Sequence, residues 1–146
     1  MCSFLVGENN REDISADLAE PQWFIDLDWY QQNNRSFIVL AEGCLCVDCR
    51  KRLTVEGGEV SATSLINNIK DCCSRNSEFI TGELPILESV FRLFLANGNQ
   101  PLGLEELREQ LNEWRRGDAY RTSAEILPRL LRSDRYYGLR QVRESG

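Results

Sequence analysis

Five of the six cysteines in this chain fall into two short clusters, Cys44-Leu45-Cys46-Val47-Asp48-Cys49 and the adjacent pair Cys72-Cys73, and the chain contains no histidine. Sulfur is thus gathered at a point rather than scattered through a core. A tetrahedral metal site built here must use thiolates, with carboxylate as the only other ordinary ligand. The C-x-x-C step from Cys46 to Cys49 lets two thiolates grip one ion while turn amides point at the sulfurs. Alternation along an extended segment would put Cys44 on the same face as Cys46. A helix over roughly Thr63 to Cys73, with Leu65, Ile66 and Ile69 inward, carries the second cluster toward the first. The expected ligands are therefore Cys44, Cys46, Cys49 and Cys73. Cys72 is the alternate fourth ligand, and Cys2 is a bystander.

Zinc is the expected metal. A short Cys-rich segment buries little core alone, and a structural Zn(Cys)₄ site would supply folding energy. An iron–sulfur cluster or redox-active thiols are the alternatives for the same cysteines, although the spacing matches none of the ferredoxin runs closely. Arg50, Lys51 and Arg52 follow at once and would offset the charge of a tetrathiolate site.

The composition, 42% hydrophobic and 27% charged, belongs to a soluble globular protein. No apolar run approaches the roughly 20 residues that span a bilayer, and Met1 to Glu12 lacks the pattern of a secretory signal. The expected location is the cytoplasm, where thiols stay reduced. The catalytic inventory is poor. There is no histidine base, no phosphate-cradling loop and no G-x-S-x-G turn, so we expect a non-enzymatic protein with no small-molecule substrate. The net charge of −6 opposes strong nonspecific attachment to nucleic acid. Charge is uneven, however: seven basic residues face fourteen acidic ones up to Glu83, whereas ten arginines face nine acids from Leu84 onward.

These patterns divide the chain into an acidic arm (1–13), a Cys-rich module (14–82) and a helical domain (83–146). In the module, Pro21 opens an expected helix from Gln22 to Asn33, with Trp23, Phe24, Leu27 and Tyr30 at helical spacing. Ser36 to Ala41 reads as a strand, and Gly57-Gly58 as a break. In the last domain, one helix follows Pro85 and stops at Asn97-Gly98. A second runs from Leu104 to about Trp114, with Leu104, Leu107, Leu111 and Trp114 on one face. The third begins at Thr122, where Thr122 and Glu125 can form a capping box, and Pro128 should kink it. Arg135 to Val142 reads as one strand of a small hairpin or wing. The fold class expected is α+β, mainly helical: a Cys-rich metal-binding module followed by a winged helix-turn-helix.

The junction Gly98-Asn99-Gln100-Pro101-Leu102-Gly103-Leu104-Glu105-Glu106-Leu107 resembles the step from first to second helix in winged-helix domains. The stretch Leu130-Leu131-Arg132-Ser133-Asp134-Arg135-Tyr136-Tyr137-Gly138-Leu139-Arg140 is similar to the end of the HARE-HTH domain of the bacterial RNA polymerase delta subunit. Pro128 and the lack of a long acidic tail after Val142 depart from that pattern. The whole chain also resembles small bacterial proteins of Chloroflexota type, which implies no function. The winged-helix resemblance implies duplex DNA or a protein of the transcription machinery as partner. Arg121, Arg129, Arg132 and Arg135 are the residues expected at phosphates or base edges.

Overall fold

The computed structural model describes residues 21–56, 60–115 and 125–142. The acidic arm, Cys2, Gly57-Gly58, Arg121 and Thr122 lie outside the described residues. Within them the fold is α+β and mainly helical, with a small three-stranded sheet.

The segment after Pro21 is a strand, not the start of the expected helix. Strand β1 (Gln22–Ile25) buries Trp23 and Ile25. Asp26 then caps helix α1 (Leu27–Gln32), accepting from the Asp28 amide. Apolar residues at 23, 24, 25, 27, 29 and 30 satisfy both periodicities, and pairing with remote strands decides between them. The expected strand at Ser36 is likewise replaced by helix α2 (Phe37–Glu42). The Ser36 hydroxyl accepts from the Val39 amide as its cap, and Phe37 and Ala41 bury one face at i, i+4 spacing.

Helices α3 (Val47–Glu56) and α4 (Ala62–Asp71) follow, the second capped by Ser61 and burying Leu65, Ile66 and Ile69 as expected. A 3₁₀ turn, Cys73–Arg75, closes it. Helix α5 (Ile86–Ala96) is the central helix, with Val90, Phe91, Leu93, Phe94 and Leu95 buried. Strand β2 (Leu102–Gly103) leads into α6 (Leu104–Trp114), then come α7 (Ile126–Ser133) and strand β3 (Leu139–Gln141). Pro128 is the third residue of α7. Its missing N–H is one that a first turn leaves without an intrahelical partner, so the expected kink has no cause.

The sheet order is β2-β1-β3, with both pairings antiparallel, so the strand from the first half is central and both of its neighbours come from the second. Trp23 pairs with Leu102 on one side and Gln141 on the other. The Asn99 amide clasps β1 from the loop after α5, accepting from Ile25 N at 2.9 Å and donating to Ile25 O at 3.0 Å. Buried Arg115 donates to the carbonyls of Gly82 at 3.1 Å and Leu84 at 2.6 Å, and to the Ser89 hydroxyl at 2.8 Å. The boundary drawn at 82/83 is therefore a clamped loop. One apolar cluster runs from Trp23 to Leu139 across it. Composition and charge change there because the surface changes, while the core is shared.

Candidate metal centre

Four sulfurs converge where the start of α3 meets the end of α4. The Sγ atoms of Cys46, Cys49, Cys72 and Cys73 all lie within 4.8 Å of one another, and those of Cys49 and Cys72 are 3.5 Å apart. Cys46 directly precedes α3 and Cys49 lies in its first turn, where free amides and the helix dipole favour thiolate. Cys72 caps α4 with a non-helical backbone and Cys73 opens the 3₁₀ turn. Within a continuing helix, neighbouring residues would point about 100° apart; because the helix ends at Asp71, both side chains reach one point.

The structure thus brings together Cys46, Cys49 and Cys73 of the expected set, with Cys72 in place of Cys44. The segment around Cys44 is not extended as expected: the amides of Cys44 and Leu45 donate back to Ala41 O and Glu42 O in a helical turn. That turn folds the Cys44 thiol into the core, 3.7 Å from the Leu40 carbonyl oxygen it donates to. Burial pushes this thiol up to about 11, with Arg92 opposing.

Donors surround the cluster. The Cys46 amide donates to Cys73 Sγ at 3.2 Å, and Arg52 approaches Cys49 Sγ at 3.6 Å while also bonding the Asn68 side-chain oxygen. The Asn68 amide nitrogen lies 3.9 Å from Cys73 Sγ. Arg50 instead donates to Glu42 O and Leu45 O, which ties α3 to the preceding turn. Of the three expected cations Arg52 reaches a cluster sulfur, and sequence reading missed Asn68. The available signal was its place four residues before Cys72 on α4.

Burial pushes the Cys49 thiol up, but hydrogen bonds with Asn68, Cys46, Cys72 and Cys73 more than offset this and leave it at about 7. The hydrogen bond with Cys49, together with its charge, raises Cys72 to about 11. Burial, with the neighbouring cysteines, raises Cys73 to about 12. One thiolate is favoured at Cys49, while Cys72 and Cys73 hold protons that a divalent cation can displace. Tetrahedral zinc with sulfurs at ~2.3 Å needs S···S separations of about 3.8 Å. The observed cluster needs only small adjustments to reach them, so the four cysteines are compatible with a metal site.

Of the arginines expected at nucleic acid, the three described ones lie elsewhere. Arg129 and Arg132 are exposed on α7, opposite buried Leu127 and Leu131, and Arg135 is exposed just beyond it. Among the described residues none of the three makes a side-chain hydrogen bond or ion pair. No helix among the described residues is long and apolar enough to cross a membrane. No protein-family model, curated protein or solved structure matches this chain.

Proposed function

We propose that this chain is a non-enzymatic regulatory or adaptor protein in which Cys46, Cys49, Cys72 and Cys73 hold a structural zinc ion and the second half acts as a winged helix toward DNA or the transcription machinery. The observation that carries the zinc reading is the approach of four sulfurs to within 4.8 Å of one another in a chain without histidine. When bound, zinc would fix these thiolates as a closed tetrahedron with no position for water, which suits a structural role over catalysis. A reducing compartment such as the cytoplasm keeps such thiols available.

The winged-helix reading is supported by the order α5, β2, α6, α7, β3 and by the exposed arginines of α7. Here β1, from the first half, fills the sheet between β2 and β3. The net negative charge favours a basic protein surface at least as much as phosphate.

Metal analysis and a visible spectrum of protein purified without oxygen test the first part. One zinc per chain and no colour are expected, whereas a brown chromophore would replace zinc by an iron–sulfur cluster. Duplex DNA titrated at two salt concentrations tests the second. If α7 meets phosphates, replacing Arg129 and Arg132 by alanine should lower the salt slope by about 0.9 per lost contact. No DNA binding, together with a stoichiometric protein partner, would leave the adaptor role alone.

A further inference from the structure

The four sulfurs are not equivalent. Cys49 and Cys73 are buried, Cys46 is half-buried and Cys72 is exposed. Cys73 accepts the Cys46 amide and Cys49 has the Arg52 guanidinium beside it. Among the described residues the partners of the Cys72 sulfur are themselves thiols, Cys49 at 3.5 Å and Cys46. Hydrogen bonds to a metal-bound thiolate draw off charge and make it less nucleophilic, so the exposed sulfur without an N–H donor is the reactive one. Its possible partners are also unequal. Cys73 is adjacent in sequence, where an ordinary disulfide cannot be closed without strain; Cys46 Sγ lies within 4.8 Å, and Cys49 Sγ is at 3.5 Å.

We propose that Cys72 is an oxidation site through which a peroxide opens the zinc centre, with Cys49 as its resolving partner. This rests on the zinc reading above. The Cys72 thiolate attacks one peroxide oxygen: an S–O bond forms, the O–O bond breaks, and hydroxide leaves. The Cys49 thiolate then attacks the Cys72 sulfur, forming S–S and expelling a second hydroxide. Two thiolates lose two electrons and hydrogen peroxide gains them. Cys46 and Cys73 remain as only two ligands, too few for a tetrahedral site, so zinc leaves. The new disulfide joins the start of α3 to the end of α4, the elements the metal had joined. The oxidised protein should therefore keep α3 in place without metal, unlike the reduced protein treated with a chelator.

The test uses the full, zinc-loaded chain and substoichiometric hydrogen peroxide, with a metallochromic dye to follow zinc and dimedone to trap sulfenic acid. The expected result is one zinc released and two thiols lost per peroxide consumed, dimedone on Cys72, and a Cys49–Cys72 disulfide in peptide maps. Cys72→Asp, which keeps a ligand oxygen but no oxidisable sulfur, should retain its zinc under the same dose. If that variant does not load zinc, the peptide maps of the unmodified chain still decide. Zinc retained after thiol loss, dimedone on Cys46 or Cys73, or a different disulfide pair would overturn the proposal. Protein that loads no zinc at all fails at the earlier step, before peroxide is added, and sinks both readings; loaded protein that resists peroxide sinks only this one.

Discussion

In the metal-free protein the hydrogen bond to Cys49 and its charge hold the proton on Cys72, and burial, with the neighbouring cysteines, holds it on Cys73. The sign of the resulting pH dependence follows from the direction of each shift. Cys49 falls from 9.0 to about 7, so its stabilising contribution is present above the unfolded value and is lost as pH drops through 7. Cys72 and Cys73 rise to about 11 and 12; theirs is present below the unfolded value and is lost as pH rises through that range. Thiolate absorbance of the metal-free chain should therefore show an early step near pH 7 that Cys49→Ser removes. Zinc added at neutral pH should release protons from Cys72 and Cys73, measurable in weakly buffered solution. Cys44→Ser should load zinc as fully as the parent chain, since its sulfur faces the Leu40 carbonyl, while Cys73→Ser should lose most of the bound metal. Equal zinc loss in both variants would contradict the four-sulfur assignment. Cys46, Cys49 and Cys73 were legible in the sequence because C-x-x-C spacing and a helical apolar face are local properties. The choice of Cys72 over Cys44 was not, because it depends on where two helices end.

Among the elements, the turn from α7 to β3 is organised by one side chain. Asp134 is buried, and its carboxylate accepts the amides of Tyr136 at 3.0 Å, Tyr137 at 2.9 Å and Leu139 at 2.9 Å, with Arg140 at 3.6 Å. Gly138 completes the turn at φ +68, and a Cβ there would meet a Tyr30 ring carbon at 2.7 Å. Tyr30 in turn donates to the Tyr137 carbonyl at 2.6 Å, so α1 and the turn fix each other. Asp134→Ala would strand three amides and should cost about 3 kcal/mol in urea unfolding. A loss within about 0.5 kcal/mol, as at an ordinary surface site, would show that the carboxylate does not hold the turn. The same interdependence explains which elements the sequence revealed. Helices α5 and α6 carry long apolar stripes with clear stops at Asn97-Gly98 and Trp114, and their ranges were readable. β1 and α2 are short, and their apolar residues fit either period. Partners about 80 to 120 positions away make Gln22–Ile25 a strand, and the Ser36 cap with a buried Phe37 makes the next segment a helix.

At the scale of the whole molecule, β1 ties the two halves together while the cysteine cluster joins α3 to α4 within the first, and their loss should have different consequences. Between Val47 and Leu53, Cys49 is the only residue of α3 that is fully buried, with Leu53 partly so. The helix therefore depends on the cluster more than on apolar packing. Removing zinc from the reduced chain should raise amide exchange over 46–56 while β1 and α5 stay protected, because apolar packing with α4, α6 and α7 holds them. β1 behaves oppositely: it is the central strand, and without it β2 and β3 lose their only strand partner among the described residues. The segment 84–146 alone would also lose the Ile25 backbone that Asn99 clasps and the Gly82 carbonyl that Arg115 engages. We expect that fragment to lack cooperative unfolding, although it holds all of the sequence on which the winged-helix resemblance rests, while the full chain unfolds in one main transition. Circular dichroism and calorimetry on both chains check this. A fragment that melts sharply by itself would mean that the second half is a separate domain and that β1 merely adds a strand to a finished fold.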